Sequence, residues 1–256
     1  MTHEVERFKA GLRKFLEARN DVLAAWEGGS LATGFADEYS DLDLLIVTKG
    51  QISDIIFASL EALFSEKYGI ERSFRMPEPT WHGLSQCFYL LKNLPPCFYC
   101  DIAVTPAETE DKLTAPDRHG NAVIWFDKAG IYNSAPTPPE EIKKLARRVF
   151  RMATATDFLG VIELQKSLAR NDWIHSHMNW VIFVSRHLVP LLNLKHRPAK
   201  ADFGIRYAGR DYPTEDAKRL EELLRVGSTG EIRGKSETAI AWFEELKAEL
   251  AEHYGS

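Results

Sequence analysis

Residues 28–47, GGSLATGFADEYSDLDLLIV, decide how this chain is read. The stretch opens on a Gly-Gly-Ser turn, crosses a polar loop and ends in an apolar, β-rich run. LDLLIV is bounded by loop residues and predicts a strand over 42–47. Side chains two apart on a strand share a face, so Asp41 and Asp43 stand side by side while Leu42 and Leu44 point into a core. Two carboxylates on one face raise each other's pKa unless a cation lies between them. Hard oxygen ligands at this spacing suit Mg²⁺, which takes one or two protein carboxylates and fills its other positions with water and phosphate. Gly29 and Ser30 add a turn free of side chains, exposed N–H donors and a hydroxyl, which is what a phosphate needs. A phosphate cradle followed after a ten-residue gap by Asp-x-Asp suits a nucleoside triphosphate and its metal.

Composition narrows the partners. A chain of 256 residues holds one large or two modest domains and can bury a real core. Its 45% hydrophobic and 27% charged residues are ordinary globular values. A net charge of −5 argues against long nucleic acid, whose binders carry a basic stripe, and fits a small cationic acceptor better. Three cysteines make no disulfide framework, and Cys97 and Cys100 read as strand packing. No apolar run is long enough to span a bilayer, and the N-terminus lacks a signal-peptide core, so a cytoplasmic protein is expected. The P-loop pattern G-x-x-x-x-G-K-[ST] is absent from the sequence.

Outward from the opening stretch, apolar residues at helical spacing predict a helix over 5–17, then a strand over 22–27 entering the glycine turn. One helical turn is expected over 30–33. Ser53 is placed as the N-cap of the next helix, followed by strands over 70–76, 88–91, 98–104 and 122–126. Prolines 136, 138 and 139 mark a domain boundary, dividing the chain into 1–135 and 136–256. Thr137 is expected to cap a helix running to about 169, with further helices over 172–194, 214–226 and 237–253. Short links between them predict a bundle. The fold class is therefore α/β (α+β), a mixed sheet flanked by helices and followed by a helical domain.

Gly29-Ser30, the gap, and Asp41-Leu42-Asp43 resemble the signature of the polymerase-β-type nucleotidyltransferase superfamily. The resemblance implies a third carboxylate on a later strand, matched by Asp101 in CFYCDIAV. With the helical half it extends to the aminoglycoside (streptomycin/spectinomycin) adenylyltransferases and related antibiotic nucleotidyltransferases. That class implies a lysine after the long buried helix facing the triphosphate; Lys200 in HRPAKADFGIRY is the matching position, with Phe203 as the accompanying aromatic.

The activity so implied is transfer of AMP from ATP to a hydroxyl of a small molecule, such as an aminoglycoside-like antibiotic, with release of pyrophosphate. Asp41, Asp43 and Asp101 are expected to hold two Mg²⁺ ions, with Asp101 taking the acceptor's proton, and Gly29, Ser30 and Lys200 to bind the nucleotide. Lys166 and Arg170 could also reach phosphate, and Glu163 and Asp157 a cationic acceptor. Trp81 and His82 are placed to meet a substrate. Trp173, Trp180 and Phe183 read as core, and His175, His177, His187 and His196 as structural, since metal-binding helical histidines want i, i+4 spacing. The alternative is a nucleotidyltransferase-fold antitoxin or regulatory module acting on or binding a protein partner; an enzyme acting on RNA ends or a protein side chain is a third.

Overall fold

Leu42–Thr48 forms strand β2, with Leu42, Leu44 and Ile46 buried on one face and Leu45 and Val47 on the other. The computed structural model describes residues 2–255, and the chain divides into two units, Met1–Pro136 and Thr137–Ser256.

In the first unit β2 lies inside a six-stranded sheet with β1 (Val22–Glu27), β3 (Ile70–Arg75), β4 (Ser85–Leu91), β5 (Cys100–Pro106) and β6 (Val123–Asp127). The order is β3-β4-β5-β2-β1-β6. Only β2 and β5 pair in parallel; the other pairs are antiparallel, so the sheet is mixed. Helices α1 (His3–Glu17) and α3 (Ser53–Lys67) cover one face. Phe8, Leu12 and Leu16 of α1 and Leu60 and Phe64 of α3 pack there with Leu44, Ile46, Ile102 and Val104. Each such fully buried side chain contributes about 1.5–3 kcal/mol. On the opposite face Ala24, Trp26, Leu45, Val47 and Leu84 form a smaller cluster, with the Tyr132 ring against Trp26. Two single turns, α2 (Gly29–Ala32) and α4 (Pro116–His119), complete the unit.

Three local expectations shift here. Ser53 is the first helical residue of α3, with Ile52 at the cap. Strand β5 starts at Cys100, because the Phe98 N–H closes a turn on Pro95 O at 2.9 Å. Cys97 therefore sits exposed in a loop rather than packing in a strand. Pro95 and Pro96 have no N–H to give a ladder.

The second unit is helical: α5 (Pro139–Thr154), α6 (Asp157–Ala169), α7 (Trp173–Phe183), α8 (Val189–His196), α9 (Ala208–Asp211), α10 (Thr214–Leu224) and α11 (Thr229–Tyr254). Trp180, Phe183, Leu188, Leu192, Trp242 and Phe243 lie at its core. The helix expected from Thr137 starts at Pro139, because a residue before proline is driven out of the α region and Pro138 takes the extended cap position. It also ends early. Thr156 leaves helical geometry (φ −127°, ψ 14°) between Thr154 and Asp157, residue types that favour helix ends over interiors. The segment from Asp172 is one helical run, but Val184–Leu188 is a π-turn ahead of Pro190, which cannot donate a backbone hydrogen bond. The last helix begins at Thr229, ahead of the expected 237. Ser228 accepts from Glu231 N at 3.2 Å and the Glu231 carboxylate accepts from Gly227 N at 3.1 Å, a capping-box arrangement that outweighs Gly230 and Gly234 inside the helix. Among the described residues no helix is long and apolar enough to cross a membrane.

Candidate active site

Since Leu42, Leu44, Cys100 and Ile102 point at the helices, the residues between them point the other way. Asp43 and Asp101 are direct register partners across the one parallel pair of the sheet. Neighbouring strands lie about 4.8 Å apart, so their side chains rise next to each other on one face. Asp41 immediately precedes β2, and the Leu42 N–H bond to Tyr99 O (3.0 Å) carries the pairing of the two strands to their N-terminal ends.

Tyr99 reports on all three carboxylates. Burial pushes its hydroxyl well above the ordinary range, helped by a hydrogen bond to Asp41 and by the charges of Asp41, Asp43 and Asp101. Asp101 is itself raised, chiefly by burial and further by Asp41, against a hydrogen bond from Gln86 that favours its ionised form. The sheet register thus brings Asp43 and Asp101 together, and Asp41 joins them through its hydrogen bond with Tyr99.

The turn before them is fitted to Asp43. Gly28 N donates to Asp43 O at 2.8 Å, and Gly29 turns at φ +57° into α2, which carries Ser30. A Cβ on Gly29 would fall 2.5 Å from Asp43 Cγ, so only glycine lets the backbone lie against that carboxylate. Below the turn, Glu27 ends β1 and is 3% exposed. One of its oxygens accepts from buried Lys9 of α1, the other from Trp125 Nε1 at 3.4 Å. This internal ion pair ties the helix layer to the strand that delivers Gly28 and Gly29.

Among the described residues no three carboxylate, imidazole or thiolate groups already stand as a metal-holding cluster. The donor chemistry nevertheless fits a hard divalent cation. Asp43 and Asp101 share a face, Asp41 stands just before β2, and a cation among them would relieve the repulsion from Asp41 that helps raise Asp101.

Other candidates are placed elsewhere. Lys200 belongs to the second unit and ends a short 3₁₀ turn, Pro198–Lys200. The surrounding segment folds over buried Arg197, which donates to Asn193 Oδ1, Arg206 O, Asp211 Oδ2 and Gly204 O. Much of HRPAKADFGIRY is accounted for by that internal network. Glu163 and Asp157 are engaged by Lys166 and Lys247. Arg170 caps the end of α6. His187 Nδ1 lies 2.7 Å from Ala153 O, and His196 pairs with Asp216, both structural roles. Trp180 and Phe183 are core residues, whereas Trp173 is 39% exposed and rests on His177. Trp81 is exposed, with its ring against His82. Sequence reasoning missed Tyr99 and Gln86. Tyr99 was legible as the residue two before Asp101; Gln86 had no local signal, because it reaches Asp101 only through strand pairing.

A nucleotidyltransferase domain model matches residues 9–90, which run from Lys9 through the glycine turn and Asp-x-Asp into β4. Comparison with curated proteins finds no match. Among solved structures, an aminoglycoside 6-adenyltransferase from Bacillus subtilis is similar at 12% identity over 99% of this chain and 92% of its own, with a TM-score of 0.38. The spectinomycin adenyltransferase AAD(9) from Enterococcus faecialis, crystallised with ATP and spectinomycin, is similar at 14% identity over 96% and 98%, with a TM-score of 0.35. At those scores the likeness decides nothing about activity. The family match, with the glycine turn and Asp-x-Asp inside it, is confined to the first unit: residues 9–90 of this chain are similar to a nucleotidyltransferase domain.

Proposed function

We propose that the protein transfers a nucleoside monophosphate, AMP from ATP, to a hydroxyl of a small cationic acceptor of the aminoglycoside kind, releasing pyrophosphate. The observation that supports this most is the pairing of Asp43 with Asp101 across the parallel strands, with Gly29 packed against Asp43. Asp41, Asp43 and Asp101 are the residues that would hold Mg²⁺, two ions by the expectation above. When bound, the metal supplies positive charge to the triphosphate and the departing pyrophosphate.

The chain's own residues do the rest. Gly29 and Ser30 present backbone N–H groups and a hydroxyl to the terminal phosphates, where a larger side chain would block close approach. Asp101 takes the proton from the acceptor hydroxyl. Burial raises its affinity for that proton, the adjustment a general base needs, whereas the smaller contribution from Asp41 is the one a bound cation would cancel. Positioning and charge neutralisation account for most of the rate, since phosphoryl chemistry needs little covalent help from protein groups.

The test is pyrophosphate release from ATP with Mg²⁺ against a panel of aminoglycosides, with Asp43→Asn as control. Release that requires one acceptor and disappears in the variant supports the proposal. Release independent of any acceptor would identify a simple nucleotide hydrolase and overturn it.

A further inference from the structure

We infer that Gln86 and His82 are positioning residues that brace the Asp101 carboxylate through a one-directional chain of hydrogen bonds; this role rests on the function proposed above.

The chain starts at a loop backbone and ends at the site. Leu84 N–H donates to His82 Nδ1 at 3.1 Å. His82 Nε2 lies 2.9 Å from Gln86 Oε1, and Gln86 Nε2 donates to Asp101 Oδ1 at 2.6 Å. Thr80 Oγ1 donates to Leu84 O at 2.6 Å and so ties down the loop that presents His82.

Each link fixes the polarity of the next. An ionised carboxylate only accepts, so the Gln86 amide must turn its NH₂ toward Asp101 and its oxygen toward His82. His82 must then carry its proton on Nε2. The opposite nitrogen receives the Leu84 N–H at 3.1 Å and must be bare; Thr80 Oγ1, whose hydrogen goes to Leu84 O, is the more distant neighbour of that nitrogen at 3.3 Å, and a proton on Nδ1 would point to it instead. Both demands describe the same neutral tautomer, so the chain is satisfied end to end.

Strand pairing explains the reach. Phe88 of β4 is opposite Asp101, and Gln86 lies two residues away on the same face, the diagonal position that a long side chain spans. With Oδ1 occupied by Gln86, Oδ2 is the oxygen left for the reaction. Gln86 also favours the ionised form of Asp101, opposing the burial that raises it. A base held this way meets the acceptor hydroxyl at one angle, where a swinging carboxylate would meet it at many.

The test pairs spectroscopy with kinetics. In metal-free, substrate-free protein, long-range ¹H–¹⁵N correlation of the His82 ring should find Nε2 protonated and Nδ1 bare near neutral pH. In pyrophosphate release, Gln86→Leu should lower kcat by about 10–100-fold with the KM for ATP unchanged, the size of effect expected from a misplaced catalytic group. His82→Leu should lower kcat in the same way, and His82→Gln, which keeps a donor, should recover most of it. Finding the Nδ1-protonated tautomer would overturn the brace. So would full kcat in Gln86→Leu under conditions where Asp101→Asn is inactive, or a KM for ATP that rises as kcat falls. A silent wild type instead removes nucleotidyl transfer itself, and the positioning role with it; the tautomer then still separates a wrong chain from a wrong activity.

Discussion

Gly29 lies so close to Asp43 that a methyl group on its α-carbon would overlap the aspartate's carboxylate carbon, 2.5 Å away. The glycine turn and Asp43 are therefore one packed unit. Gly29→Ala should push the Asp43 carboxylate aside and force a non-glycine residue to φ +57°. The backbone cost is about 1–2 kcal/mol, small beside the functional loss. The expected result is a folded protein, by circular dichroism, whose pyrophosphate release falls about 100-fold or more, in line with a catalytic group misplaced by an ångström.

The Lys9–Glu27 pair supports the same turn from below, and both side chains are buried, at 10% and 4% exposure. Removing one partner leaves an uncompensated charge in the core, so Lys9→Met or Glu27→Gln should cost about 3–5 kcal/mol in urea unfolding. The double variant Lys9→Met/Glu27→Leu should recover much of that loss. A double variant whose loss equals the sum of the two single losses would mean the pair is not coupled.

Asp101 should show a stability–function conflict. Its folded-state pKa is raised above the ordinary value, with burial the largest cause and Asp41 next. The native state therefore binds more protons than the unfolded state between the unfolded pKa of 3.8 and the raised folded value. Stability falls as pH rises through that window and stays lower above it. In metal-free protein at pH 7, Asp101→Asn should melt higher than wild type while losing activity. The difference should close as pH falls to about 4. A variant less stable than wild type at pH 7 would show that Asp101 is held by bonds stronger than its burial cost.

The elements most legible in the sequence were those with a strong local period or a local breaker. Strand β1 and the alternating LDLLIV run lie where expected, because burial on alternate faces acts over a few residues. Helix ends in the second unit were less legible. The break at Thr156 and the early start at Ser228 depend on caps whose signals compete with apolar spacing or with nearby glycines. Asp101 was found by its likeness to a family pattern, yet its alignment with Asp43 is a matter of strand register, which the sequence alone does not print. Gln86 and Tyr99 were missed for the same reason. Their contacts cross between strands, while local sequence signals run along them.

The central claim is that the paired aspartates serve transfer of the nucleotidyl group. It is tested most directly with ATP labelled either at the α- or at the γ-phosphate, supplied with Mg²⁺ and a panel of aminoglycosides, and scored for label on the acceptor. The account predicts that α-label is transferred and γ-label is not, and that Asp43→Asn reduces the transfer by about 10²–10³-fold, the scale of loss when a main electrostatic contact is removed. Transfer of γ-label, or undiminished α-label transfer by Asp43→Asn, would contradict it.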